Sequence, residues 1–413
     1  MEQKLKFDEV AMYQNNPNWG KSISRRNGLY DREDDIRSPF SRDYTRVLHS
    51  LAFRRLKHKT QVFYGAAGND HVCTRIEHVA HVESVSNSIA RALGLNEELT
   101  RAIAMAHDLG HAPFGHKGEE YINKLTMEYL GKPFWHEQNG VYFVDKIELL
   151  EDPQKKKRNL DLTYAVRDGI ISHCGEVDQN CIRPRDFSIP LEEVQKGGKL
   201  QSATWEGCVV KLADKIAYLG RDIEDADRLH YFDAAQLKAL RDLAKKCNED
   251  AVNTTVITHS MIIDICQNSS VKDGLCLSPE MEEVLNAIKK FNYENIYHNK
   301  RLDYYGKFAG LVINSLFEAL FPYYDAMATF SNLEKDNFHH RKFISDFADY
   351  LAAYCELDGS APDYTFKNIQ YLENDKIYGS LDTEQIYYQA VIDFISGMTD
   401  NYATDAFNQL LMC

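Results

Sequence analysis

Two apolar stripes at helical spacing constrain the chain between Thr74 and Leu109. His78, Val82, Val85, Ile89 and Leu93 recur at three- and four-residue steps, the period of one helix face, and that face opens on an imidazole. A second apolar run ends in adjacent His107 and Asp108, both expected to point out of a helix whose opposite face is buried. Far downstream, Cys208 to Tyr218 carries one carboxylate, Asp214, on a third apolar helix. Two imidazoles and two carboxylates make a mixed nitrogen and oxygen site for a divalent metal, with positions left open for water. For any single histidine the plainer reading, a satisfied core or surface residue, is the better one.

The rest of the chain reads the same way. Tyr44, Val47, Leu48, Leu51, Phe53 and Leu56 give a helix within Asp43–Lys59, and Gly94 closes the His78 helix in the usual C-terminal position. Helices are predicted over Glu97–Leu109, Glu119–Leu130, Gly140–Leu150, Asp161–His173 and Trp205–Leu229. Beyond Tyr231 come Ala234–Ala251, Val256–Gln267, Pro279–Ile296, Lys307–Leu320, Arg341–Glu356 and Thr383–Asp400. Alternating strand patterns are nearly absent, apart from short pieces near Val62 and Phe187. The expectation is an all-α chain: an irregular lead-in over residues 1–36, a core over 37–230 and a helical C-terminal region over 231–413 packed on that core.

Composition excludes several classes. A net charge of −14 argues against a chain wrapped in nucleic acid, and no apolar run approaches the length of a membrane span. The N-terminus lacks the apolar core of a signal peptide. Nine cysteines, an odd count without a Cys-x-x-Cys pair, point to reduced thiols and a cytoplasmic location. The basic run Lys155–Arg158 reads as a solvated loop, and Arg54–Lys59 is a second local cluster of positive charge in an acidic chain.

Histidines crowd the turn after Asp108. His111 lies within the glycine-rich turn Gly110–Gly115 and His116 directly follows it, a turn that lets imidazoles approach a substrate without helical crowding; Glu119 follows His116 at the i,i+3 distance at which a carboxylate can orient an imidazole. Arg75 lies one turn before His78, and Lys215 directly follows Asp214. For both, a structural salt bridge is as good a reading as a phosphate contact. Tyr218 and Asp222 stand four and eight residues after Asp214, on one helix face.

The order His…His-Asp…Asp resembles the HD-domain metal phosphohydrolases. The stretches 37–43, 53–61, 107–119 and 212–218, with the C-terminal Asp393–Ala403, are similar to the deoxynucleoside triphosphate triphosphohydrolases, and together they run through most of the chain. That resemblance implies an HD core with a helical elaboration. It also implies a divalent ion (Mn, Mg or another first-row metal) on His78, His107, Asp108 and Asp214, and His116 with Glu119 as the catalytic pair. His111 and Arg75 would offset triphosphate charge together with Lys215, while Gln61, Tyr218 and Asp222 would contact the sugar. Trp135–Gln138 resembles the segment in which a histidine, here His136, joins the acid–base cluster, although many bacterial members show a different spacing there. The activity implied is hydrolysis of dNTPs, dGTP foremost, to deoxynucleoside and inorganic triphosphate, serving dNTP pool control. A homo-oligomer and regulation by a dNTP or single-stranded DNA come with the resemblance as well. Two other readings stay open: a nucleotidase or phosphodiesterase acting on nucleoside monophosphates or cyclic nucleotides, and a non-catalytic nucleotide sensor.

Overall fold

A computed structural model describes residues 4–28, 34–64, 71–174, 180–186, 188–194, 198, 200–246, 254–337, 342–357 and 371–411. The chain is all-α, with one two-stranded antiparallel hairpin among the described residues. No described helix is long and apolar enough to cross a membrane. The chain divides into two compact units, each drawing on three segments: Met1–Leu48, Gln61–Asp108 and Asp161–Tyr304 form one; His49–Thr60, Leu109–Leu160 and Tyr305–Cys413 form the other.

In the first unit, the helices Arg75–Leu93 and Trp205–Arg228 pack against each other, and Glu97–Ala106, Tyr164–Ser172 and Thr254–Asn268 close around them. The predicted stripe is buried: Val82, Ile89 and Leu93 are buried on one of the two helices, and Val209, Ala213, Ile216 and Leu219 on the other. Glu97–Ala106 and Tyr164–Ser172 are buried over most of their length. The lead-in is irregular with one short helix, Trp19–Ser22, yet it is anchored. Phe7 is fully buried edge-on to Trp205, and Arg25 reaches the buried Asp43 carboxylate at 2.7 Å.

The second unit is built on the helices Gly115–Leu130 and Glu384–Ser396, which pack together, with His136–Tyr142, Lys342–Tyr354 and Asp400–Leu411 beside them. Here the sequence reading needs correction. Gly140–Leu150 is not one helix: the chain widens into a π turn at Phe143–Ile147, then Leu149–Glu151 pairs with Lys157–Asn159. The basic run is therefore the turn and return strand of a hairpin. Lys156 and Arg158 pair with Glu373 instead of standing in solvent. Asp43–Lys59 breaks at Ser50, whose hydroxyl accepts the Phe53 amide and starts a new helix, Leu51–Arg55. A further helix, Asp400–Leu411, follows the one expected to stop at Asp400. Val62 is not in a strand, and Phe187 lies outside the described residues.

The reduced-thiol expectation also fails at one place: Cys181 and Cys276 form a disulfide in the first unit. The two are 95 residues apart and are brought opposite each other by the backbone pair Ile182–Leu275, which no count or spacing of cysteines could reveal. Among the described residues, Cys73, Cys208, Cys266 and Cys355 are free thiols.

Candidate metal and acid–base sites

The helices of the first unit bring His78, His107, Asp108 and Asp214 together. His78 stands in the first turn of Arg75–Leu93, where the Glu77 carboxylate caps the Thr74 amide at 2.8 Å. His78 Nε2 lies 2.9 Å from Asp214 Oδ1 and 3.9 Å from Asp108 Oδ2. His107 Nε2 lies 3.5 Å from Asp108 Oδ1 and 3.9 Å from Asp214 Oδ1. His107 and Asp108 do not point outward from a half-buried helix as expected: they are 0% and 3% exposed. The helix ends at Ala106, so His107 is its C-cap and turns inward.

The His107 ring is fixed by its own backbone. Nδ1 lies 2.7 Å from the Ala104 carbonyl, which can only accept, so Nδ1 carries a proton and Nε2 is the ring atom turned toward the carboxylates. That Nε2 is buried and has no hydrogen-bond partner among the described residues, the condition of an atom built to meet a cation. Asp214, despite burial, is held down at about 2 by its hydrogen bond to His78 and by the nearby imidazoles. Burial by itself would lower His78, but the Asp214 bond and the charges of Asp214 and Asp108 raise it above its ordinary value. Two carboxylates and two imidazoles at these separations suit a divalent ion, and His78, His107 and Asp214 present donor atoms within 4.8 Å of one another.

The residues expected around this group fall as follows. Arg75 spends one guanidinium nitrogen on Asp108, Nη1 to Oδ2 at 2.8 Å, in a pair buried on both sides. Its Nε remains buried with no hydrogen-bond partner among the described residues, as does Gln61 Oε1. Lys215 and Tyr218 are half-buried on the Asp214 helix. Asp222, two turns from Asp214, is buried and accepts a hydrogen bond from Tyr297 at 2.5 Å; burial pushes its carboxyl up to about 7 in spite of that bond.

The second unit gathers the other histidines. The His111 and His136 rings stack at 3.8 Å between centroids. Glu119 accepts from the His136 backbone amide at 3.0 Å and meets His136 Nδ1 at 3.0 Å, while His116 Nδ1 stands at 3.4 Å. The carboxylate thus sits between two imidazoles and is closer to His136. Burial would raise Glu119, but the His136 charge and the two imidazole hydrogen bonds hold it well below the usual carboxylate range. His116 is 71% exposed, so its ring is open to an incoming molecule, whereas His111 and His136 are buried. The four donor atoms of His111, His116, Glu119 and His136 also lie within 4.8 Å of one another.

Comparison with known proteins bears on both groups. A family model described as HD domain matches residues 75–219, the span that contains His78, His107, Asp108 and Asp214. A deoxyguanosinetriphosphate triphosphohydrolase-like protein of Caldanaerobacter subterraneus subsp. tengcongensis is 33% identical over 390 residues, covering 94% of this chain and 89% of its own. Another of that description, from Clostridium perfringens (strain SM101 / Type A), is 30% identical over 410 residues, covering 99% and 95%. One from Bartonella tribocorum is 28% identical over 439 residues, covering 98% and 96%. The chain belongs to this HD-domain, deoxyguanosinetriphosphate triphosphohydrolase-like family.

Several residues that shape the dGTPase-like site escaped the sequence reading. Lys59, expected as free positive charge, is buried and donates to the carbonyl oxygens of His111 and Ser396. Asp400 takes the Phe114 amide at 2.8 Å on one oxygen and the Thr60 amide at 2.9 Å on the other, which holds the histidine-bearing turn where Phe114 adopts the left-handed φ of 66°. Asp393 accepts from Tyr142, Tyr378 and Gln389. The C-terminal signature therefore acts as scaffolding for the His111–His116 turn. Its paired carboxylates in an apolar run were the available signal. Tyr297 had none.

Proposed function

We propose that this chain hydrolyses deoxynucleoside triphosphates, dGTP foremost, releasing deoxynucleoside and inorganic triphosphate. The observation that carries the reading is the convergence of His78, His107, Asp108 and Asp214 from three helix segments, in a chain related over nearly its full length to dGTPase-like proteins. A divalent ion held by those four, manganese, magnesium or another first-row metal, supplies Lewis-acid polarisation of a phosphate and acidifies water.

The chain's own residues do the rest. His116, exposed and backed by Glu119, exchanges the proton with the departing 5′-oxygen, and His136 keeps Glu119 ionised so that it can orient the His116 ring. His111 stacks on His136 and adds a donor for phosphate oxygen. Arg75 offers its remaining guanidinium donor, and Lys215 its ammonium, against triphosphate charge. Gln61, Tyr218 and Asp222 receive the deoxyribose, and an Asp222 carboxyl that titrates near neutrality can donate or accept to a 3′-hydroxyl. Polar groups left unmatched by a wrong sugar would make such a pocket selective.

The test is chromatography of products after incubation with Mn2+ or Mg2+ and each dNTP or GTP. Free triphosphate with deoxynucleoside is expected. Turnover only of monophosphates or cyclic nucleotides would replace the reading by a nucleotidase or phosphodiesterase, and bound metal without turnover of any nucleotide would leave a sensor. His116→Ala is expected to abolish turnover while metal content and nucleotide binding stay at the wild-type level; retained turnover removes His116 from its role.

A further inference from the structure

Tyr297 reaches Asp222 from a helix end that the proposed chemistry leaves unused. Pro279–Asn292 packs on Trp205–Arg228 and then widens into a π turn, Tyr293–Tyr297. The turn is closed by the His298 amide, which donates at 3.2 Å to the Tyr293 carbonyl five residues earlier. In an α-helix, residues five apart are turned about 140° from each other, so Asn292 and Tyr297 could not share a face. The wider turn lets both meet the same neighbour. Asn292 is fully buried and donates to the Leu219 carbonyl at 3.0 Å, while the Tyr297 hydroxyl donates to Asp222 Oδ2 at 2.5 Å.

Leu219 and Asp222 stand one turn apart on the same helix, so the two bonds fix the π turn against it in one register. Gln236 adds a third tie, donating to the Asn295 side chain inside the turn at 2.7 Å. A regular α continuation would turn the Tyr297 ring away from Asp222. The irregularity in the helix is what delivers the hydroxyl, and such widened turns recur at functional sites.

The bond sets what Asp222 can offer. Burial, and the charge of Asp222 after it, hold the Tyr297 hydroxyl well above its ordinary value, so the phenol keeps its proton and donates. Burial pushes Asp222 up, and the Tyr297 bond is the largest influence opposing it. A carboxylate that receives a hydrogen bond on Oδ2 is held in one orientation and has Oδ1 for a second donor. The structural carboxylates of the same unit are held differently. Asp43 pairs with Arg25 and accepts the Thr163 amide, and Asp168 pairs with Arg185 and accepts the Ala203 amide. Asp222 takes a neutral hydroxyl, which orients a carboxylate without neutralising it.

We propose that Tyr297 is a positioning residue of the sugar site: it holds Asp222 by Oδ2 and aims Oδ1 at the 3′-hydroxyl of the bound deoxynucleotide. The proposal rests on the sugar-site reading above and adds to it the residue that sets the selectivity of Asp222. The test compares kcat/KM for dGTP and for 2′,3′-dideoxyGTP, which lacks only the 3′-hydroxyl, in the presence of Mn2+. Wild type, Tyr297→Phe, Asp222→Ala and the double variant are measured. Expected is a wild-type preference for dGTP that shrinks about tenfold in Tyr297→Phe, the worth of one hydrogen bond, with Mn2+ affinity unchanged. Asp222→Ala should remove more of the preference, and adding Tyr297→Phe to it should change the preference no further, because the two act through one carboxylate. The preference compares two substrates on one preparation, so a lowered folded fraction cancels from it. An unchanged preference in Tyr297→Phe, or losses that multiply in the double variant, overturns the proposal and leaves dNTP hydrolysis standing. Equal use of the two nucleotides by wild type overturns the sugar role of Asp222 and this inference together. A wild type that hydrolyses no dNTP overturns the functional reading as well.

Discussion

Asp214 shows how much a single carboxylate sets in this protein. It stands in the middle of the Trp205–Arg228 helix, 2.9 Å from His78 Nε2; burial is the largest influence on that ring and lowers it, but the Asp214 hydrogen bond and charge, with the charge of Asp108, together raise it. Asp214→Asn should therefore drop the His78 titration in the metal-free protein from above the ordinary histidine value to below it, because burial then acts with little opposition. NMR titration of the imidazole checks this, and an unmoved His78 would mean that Asp108 alone supports its charge. At this scale the sequence was informative where chemistry coincided with periodicity: His78, His107, Asp108 and Asp214 all interrupt apolar helical runs.

Between elements, Gly110 governs the second unit. A Cβ there would sit 2.1 Å from both the Gly140 nitrogen and the His136 carbonyl oxygen, so the histidine turn and the His136–Tyr142 helix touch backbone to backbone. Asn139 closes the contact by donating to the Gly110 carbonyl at 2.7 Å. Gly110→Ala must push the helix away and carry His136 off Glu119. The expected result is a loss of roughly 1–3 kcal/mol or more in urea unfolding, as for overpacking elsewhere, together with loss of turnover. Wild-type stability in that variant would show that the contact yields without cost. The glycine-rich turn was read as room for a substrate; its first glycine instead makes room for a neighbouring helix. The hairpin at Leu149–Asn159 was missed because three-residue strands carry too little alternation to compete with helical text on either side.

For the molecule as a whole, buried carboxylates set the response to pH. Burial pushes Asp222 up to about 7 and Asp393 up to about 6, and it raises Asp43, Asp168, Glu206 and Asp400 as well. A native state that keeps protons the unfolded chain has already released loses stability as pH rises from about 4 toward 7. Glu119 and Asp214, held low, act in the opposite sense: their contribution is present above the ordinary carboxylate range and is lost on acidification. Asp393→Asn removes one term cleanly. Its urea midpoints should lose a decline worth roughly 2–3 kcal/mol between about pH 4 and 6, and a profile parallel to wild type would refute the assignment. The all-α class was legible because helical periodicity persists through the chain. The interleaving of the two units was not, since each is assembled from three separated segments with no change of composition at the joins.

His107 and His173 each cap the C-terminus of a helix, and this has an electrostatic consequence. Peptide dipoles leave partial negative charge at a helix C-terminus, about half an electron for each helix. A dication beside Asp108 would neutralise two such termini at once. Loading the centre should then slow amide exchange in the final turns before Ala106 and Ser172, so that the ion helps to hold the core in place as well as serving its chemistry.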